Sequence, residues 1–321
     1  MPVVTVFGGS GFIGRYVVQR LAAAGWRIRV VTRHRTYSEF LRVNGNVGQV
    51  FLHNIPSLEM QNIRLAIQGS DAVVNCIGIM RESRKQTFDK IHAVFPDVLA
   101  ECIKENSDIK KFVHISALGA GKPSKSSYIT SKTKGETSIF DRISHATVLR
   151  PSVVFGSEDR FFNRLAAIAS VSPVLPIVCG RTKFQPVYVA DVARAVHAII
   201  VSNEGTCKPV YELGGPEILT MQECMMLMLK IIRRKRLLLT LPTWYVGLIA
   251  SSLDGISRLS GRLIPNTLIT KDRVKLLLND NIVGSDYPNL QNLGIEPVAL
   301  QSILPSYLYS YRPYAQFYVE G

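Results

Sequence analysis

In the first half of the chain, short apolar runs alternate with longer stretches in which apolar residues return every three or four positions. The runs PVVTVF (2–7), RIRVVTR (27–33), GQVFLH (48–53), DAVVNCIG (71–78), KFVHIS (111–116) and ATVLRP (146–151) read as strands. Helix-period segments lie between them, over roughly 12–24, 58–68, 87–106 and 128–143. AVVNCIG is apolar on both faces, as a strand covered by helices on both sides must be, so the sheet is expected to be parallel. Strands alternating with helices predict an α/β chain with a Rossmann-type doubly wound sheet.

After Pro151 the pattern loosens. KFQPVYVADVARAVHAII (183–200) reads as a strand running into a helix, with Asp191 near the helix start. VYELGGPEILTMQECMMLMLKII (210–232) reads as strand, turn and helix. Thr220 and Glu223 form a capping-box pattern there, and the methionines are expected on a buried face. This organisation predicts a dinucleotide-type core over residues 1–155 and a smaller mixed α/β lobe over 156–321, interleaved with it. One stretch stands apart, KIIRRKRLLLTLPTWYVGLIASSLDGI (230–256), where Arg233–Arg236 precede an apolar run over 237–253. The run is shorter than the ~20 residues of a spanning helix and contains Pro242. Two alternatives remain for it: a basic patch beside Trp244 and Tyr245 on an anionic membrane or partner, or a core helix after a solvated basic turn.

Composition narrows the partners. The net charge of +14 sits mostly in residues 1–150, which carry +10 against +4 for the rest. Such an excess attracts polyanions: phosphorylated cofactors, anionic lipid or an acidic protein. Aromatic residues are not interleaved with the basic ones, which argues against nucleic acid. The five cysteines are scattered and never spaced CxxC, so they read as reduced thiols, and no metal-ligand spacing is present. A strand begins within three residues of Met1 with no signal-like segment before it, and a cytoplasmic protein, peripheral on the inner face of a bacterial plasma membrane, is expected.

The chemistry concentrates at three places. Gly8, Gly11 and Gly14 form GxxGxxG between a strand and a helix, and Gly8, Ser10, Gly11, Phe12, Ile13 and Gly14 are the expected cradle for a dinucleotide pyrophosphate. The second strand ends in Thr32-Arg33-His34-Arg35, with no acid before Glu39. Arg33 and Arg35 therefore favour the 2′-phosphate of NADP(H), with NAD(H) the alternative. Cys76, Ile77 and Gly78, at the fourth strand's end, are expected to pass the adenosine or ribose. Tyr128 and Lys132 stand at i and i+4 on one helix face, where a neighbouring ammonium is expected to lower the phenol's pKa for proton transfer.

With Tyr128xxxLys132, LRPSVVFG (149–156) and VYVADVA (187–193), the chain resembles an extended short-chain dehydrogenase/reductase. LITKDRVKLLLNDNIV (268–283) and LGIEPVALQSILPSYLYSYR (293–312) resemble the atypical branch typified by the ninth alpha-subcomplex subunit of respiratory complex I, NADH:ubiquinone oxidoreductase, and its bacterial relatives. The resemblance spans essentially the whole chain and implies a Rossmann fold, a tightly held NADPH, and complex I subunits or assembly intermediates as partners. It also places Lys132 and Pro151 at the cofactor and fits a bacterial relative better than a mitochondrial one. Active relatives carry a serine just after the fifth strand, where this chain has Ala117, one place beyond Ser116. The family's usual asparagine, on the helix before that strand, is replaced around His92 in KIHAVFPDV (90–98). Losing one oxyanion donor costs about 3 kcal/mol of transition-state stabilisation. Two functions stay open: a complex I accessory or assembly protein with a structural cofactor, and an active NADP-dependent reductase or epimerase/dehydratase using Tyr128 and Lys132. Oligomeric state is not legible.

Overall fold

The computed structural model describes residues 1–203, 205–242 and 271–313. The chain divides into two units, each assembled from three stretches. The first comprises Met1–Pro151, Val189–Leu213 and Gly284–Glu296. Its sheet contains β1 (Val3–Phe7), β2 (Arg27–Thr32), β3 (Val50–Asn54), β4 (Ala72–Asn75), β5 (Lys111–Ile115) and β6 (Ala146–Pro151), joined by a strand at Val210–Leu213. The order is Val210–Leu213, β6, β5, β4, β1, β2, β3, with every neighbouring pair parallel. This is the doubly wound arrangement expected from the alternating pattern.

Every residue of β4 and β6 is buried, Asn75, Thr147 and Arg150 included, as strands covered on both faces must be. On one face lie helices α2 (Met60–Ile67), α3 (Phe95–Lys104) and α4 (Ser127–Arg142), burying Phe7, Ile63, Phe95, Leu99, Phe112 and Ile139 in one cluster. Helix α1 (Phe12–Ala23) packs against the Val189–Val201 helix. In that helix Asp191 is the third residue, buried, with Arg194 Nη1 3.1 Å from its carboxylate. The segment expected as one helix over 87–106 is helical from residue 88 through Lys104, with a π-helical turn, Lys90–Val94, set into it ahead of α3.

The second unit comprises Ser152–Tyr188, Gly214–Val283 and Pro297–Gly321. Among its described residues, three two-stranded ribbons accompany helices at Phe162–Val171, Met221–Ile231 and Leu300–Leu308. Thr220 caps the middle helix through the expected box with Glu223, and Met221, Met225 and Met228 lie on its buried face. The basic run is corrected in part. Arg234 and Arg236 donate to the carbonyls of Ser170 (3.4 Å) and Ala169 (2.7 Å), closing the last turn of the Phe162–Val171 helix. Leu237–Leu241 is not the start of a helix but a strand, paired in parallel with Val174–Val178. The remainder of the apolar stretch, from 243 onward, lies outside the described residues. Among the described residues no helix is long and apolar enough to cross a membrane.

Candidate functional site

The strand order reverses between β1 and β4, and the loops leaving these two strands meet there. Gly8 has φ +77°, and a Cβ on it would come within 2.9 Å of the backbone of Cys76 and Ile77. A Cβ on Gly14 would run into the Gly8 carbonyl oxygen. Both glycines are therefore demanded by close approach of backbone to backbone. Gly11 is the N-cap of α1, no side chain caps that end, and no acid occupies its first turn. Ser10, Phe12 and Ile13 are half-buried around it. An uncapped helix N-terminus on a turn that only glycine can form is suited to a pyrophosphate.

The two arginines after β2 differ. Arg35 is exposed and lies 3.3 Å from Glu39, which Arg42 also approaches at 2.9 Å. Arg33 is exposed and faces Gln86 on the loop after β4.

Helix α4 carries the Tyr128–Lys132 pair and is capped by Ser126. Lys132 is buried, and its Nζ donates to the Ile115 carbonyl at 3.0 Å. Burial lowers the ammonium's pKa to about 8 against the pull of Glu136 and Cys76. A Cβ on Gly78 would lie 3.6 Å from this Nζ, so the end of the β4 loop reaches the lysine. Burial pushes the Cys76 thiol up to about 12, which makes it a poor nucleophile.

The expected acidification of Tyr128 is overturned. Its pKa is pushed up to about 12 by burial. The ring stands edge-on to Phe88 and His92, at 5.6 and 5.3 Å between centroids. Desolvation disfavours the phenolate, and the lysine's charge does not offset it.

His92 occupies the place between α4 and the β4 loop. Its Nε2 accepts the Ile79 N–H at 3.0 Å, so the neutral ring carries its proton on Nδ1, facing Ser131 Oγ at 3.1 Å. Ser131 in turn donates to the Tyr128 carbonyl at 2.7 Å. Burial and Lys132 hold the His92 pKa at about 3, which keeps this chain of bonds in one tautomer. His92 is thus a tie from the loop to the helix and not a proton shuttle.

Asn75 and His114, which the sequence pattern did not single out, form a second buried tie. Asn75 Oδ1 accepts the Ile77 N–H at 2.9 Å, so its Nδ2 donates to His114 Nδ1 at 3.0 Å. His114 then carries its proton on Nε2, which has no hydrogen-bond partner among the described residues. Ser116 Oγ is likewise buried without one. The Ala117 methyl follows it, and Pro151 closes β6, its carbonyl accepting the Leu118 N–H at 3.0 Å. Glu136, one turn beyond Lys132, is buried against Arg150, with Nε–Oε1 at 3.1 Å. Its i+8 spacing from Tyr128 was a signal available in the sequence. The residues present fit a dinucleotide: a glycine cradle, an uncapped helix end, and buried polar atoms with bonding capacity to spare.

The model of the NAD dependent epimerase/dehydratase family matches residues 4–214. The mitochondrial NADH dehydrogenase [ubiquinone] 1 alpha subcomplex subunit 9 of Arabidopsis thaliana is 31% identical, over 97% of this chain and 78% of its own. A ceramide reductase of Caulobacter vibrioides is 29% identical over 60% of this chain and 58% of its own. Among solved structures, the UDP-glucose 4-epimerase of Thermotoga maritima superposes with a TM-score of 0.70 at 19% identity, covering 96% of this chain and 98% of its own.

Proposed function

We propose, for a chain that belongs to the NAD dependent epimerase/dehydratase family and within it to the group of complex I alpha subcomplex subunit 9, that it is an NADP(H)-binding accessory or assembly subunit of respiratory complex I. In this reading the cofactor is structural. Gly8, Ser10, Gly11, Phe12, Ile13 and Gly14 hold the pyrophosphate, Arg33 the 2′-phosphate, and Cys76 to Gly78, Lys132 and Pro151 the remainder. The dinucleotide supplies hydride chemistry where a family member turns over. The observation that carries the reading of low turnover is Ala117, which brings no hydroxyl where active relatives carry a serine. Tyr128, packed edge-on to Phe88 and His92 with its phenol pushed up by burial, is also a weak proton donor at neutral pH. Complex I as partner rests on the near full-length similarity to its ninth alpha-subcomplex subunit. The net charge of +14 suits a peripheral position on the inner face of a bacterial plasma membrane.

The second reading, an active reductase or epimerase, is favoured by one feature. Lys132, lowered by burial to about 8, titrates one unit above neutrality on the same helix as Tyr128. The two are separated by denaturing the purified protein, identifying released nucleotide by mass, and following the native protein at 340 nm with quinone and carbonyl compounds. We expect NADP(H) freed only on denaturation and no absorbance change beforehand. Substrate-dependent oxidation that disappears in Tyr128→Phe would replace the first reading with the second.

A further inference from the structure

The loop after β4 carries Arg81, Glu82, Ser83, Arg84, Lys85 and Gln86, a basic stretch that the function above does not use. It is built, not merely exposed. Ile79 is tied to His92, and the Phe88 N–H donates to Glu82 Oε1 at 2.9 Å. Between these ties Ser83 and Gln86 close a turn reciprocally: Ser83 N–H to the Gln86 carbonyl at 2.8 Å, and Gln86 N–H to Ser83 Oγ at 3.2 Å. Arg84 and Lys85 occupy the exposed middle of that turn.

The turn abuts Arg33. A side-chain amide meeting a guanidinium must present its oxygen, and so oriented the Gln86 oxygen accepts from Arg33 Nη1 at 2.5 Å and Nη2 at 3.3 Å. An acceptor seated between the two Nη atoms uses two of the five donors. The fork made by Nε–H and an outer Nη–H stays available, which is the geometry that grips a phosphate side-on. Equally important, Gln86 is neutral. Arg35 shares the Glu39 carboxylate with Arg42, whereas Arg33 is held by a neutral amide and, among the described residues, pairs with no carboxylate.

We propose that Gln86 is the positioning residue of a phosphate-monoester site formed by Arg33 and the Ser83–Gln86 turn. Its ligand is the phosphate on the adenosine ribose of the dinucleotide, and Arg35 takes no part. This rests on the reading of the glycine loop as a dinucleotide cradle, and the test separates the two.

The full chain and the variants Gln86→Glu, Gln86→Ala and Arg33→Ala are purified and denatured, and NADP(H) and NAD(H) released per chain are quantified by mass. The wild type is expected to release chiefly NADP(H). Gln86→Glu places a carboxylate on the guanidinium, in competition with the phosphate. It is expected to lower the NADP(H):NAD(H) ratio by about 10-fold or more, the scale of one charge-assisted contact. Gln86→Ala, which leaves the arginine unheld but charged, is expected to lower it about 3-fold. Total occupancy stays within twofold of wild type, which serves as the check on folding. A ratio inverted by Arg33→Ala but unmoved in both Gln86 variants would overturn the role of Gln86 and leave the cofactor reading standing. A wild type that releases chiefly NAD(H) would overturn the phosphate site itself, and one that releases no nucleotide would overturn the cradle.

Discussion

His92 is the residue on which the site's geometry turns, because one neutral ring joins the loop after β4 to the helix bearing Tyr128. Its folded pKa of about 3 lies below the ordinary imidazole value of 6.5. Between those two values the unfolded chain binds a proton that the folded chain does not, so stability is full above about 6.5 and falls as pH is lowered toward 3. Between pH 7 and 5 the loss from this residue alone is about 2 kcal/mol. His114, also held well below its usual value by burial, acts in the same direction. Urea midpoints at the two pH values are expected to differ less in His92→Gln, whose amide can meet the Ile79 N–H without titrating. Equal pH dependence in wild type and variant would show that His92 is not buried neutral. Tyr128 teaches the complementary lesson at the same scale. Its spacing from Lys132 is visible in the sequence, but its acidity is set by burial, and the rings packed against it, Phe88 and His92, lie about forty residues away in the chain.

At the scale of elements, α4 and the π-helical turn Lys90–Val94 approach so closely that Gly135 has no room for a side chain. A Cβ there would sit on the His92 carbonyl oxygen and 3.3 Å from Pro96 Cγ. The obstruction is backbone within a buried turn, which cannot swing aside as a flexible side chain would. Gly135→Ala is therefore expected to destabilise by about 2 kcal/mol or more, despite Ala's better helix propensity, because overpacking of this kind forces backbone shifts. A urea midpoint unchanged from wild type would mean the two elements can separate freely. The strands of the first half were legible because their short runs alternate regularly with helix-period segments, so the βαβ order settled what each run alone does not. The sequence showed 87–106 only as helical, because a five-residue π turn keeps nearly the same apolar spacing as the α-helix it leads into. Leu237–Leu241 failed for the opposite reason. A short apolar run carries no period that separates strand from helix, and its pairing with Val174–Val178 spans more than sixty residues of chain.

For the whole molecule, the proposed structural cofactor and the proposed partner would make joint demands. A dinucleotide that binds only the folded chain stabilises it by mass action, and a partner that binds the folded chain adds to that. On the proposed reading, disabling the cradle should therefore remove the protein from complex I while the substitution itself stays within the glycine loop. In Gly14→Ala the added methyl would run into the Gly8 carbonyl at the foot of α1, a position whose neighbours are all within the cradle. In host membranes solubilised mildly and separated on native gels, the wild type is expected to migrate with NADH:quinone oxidoreductase activity. Gly14→Ala is expected to be lost from that band in proportion to its lost nucleotide. A protein that never migrates with that activity would refute complex I as its partner. A Gly14→Ala variant that lacks nucleotide but still migrates there would show that assembly does not need the cofactor, and would return the site to the enzymatic reading. The two demands are separable because glycine loop and partner surface need not coincide. Tyr37, Val43 and Val47 are exposed beyond the end of β2, so apolar surface is available to a partner outside the cradle altogether.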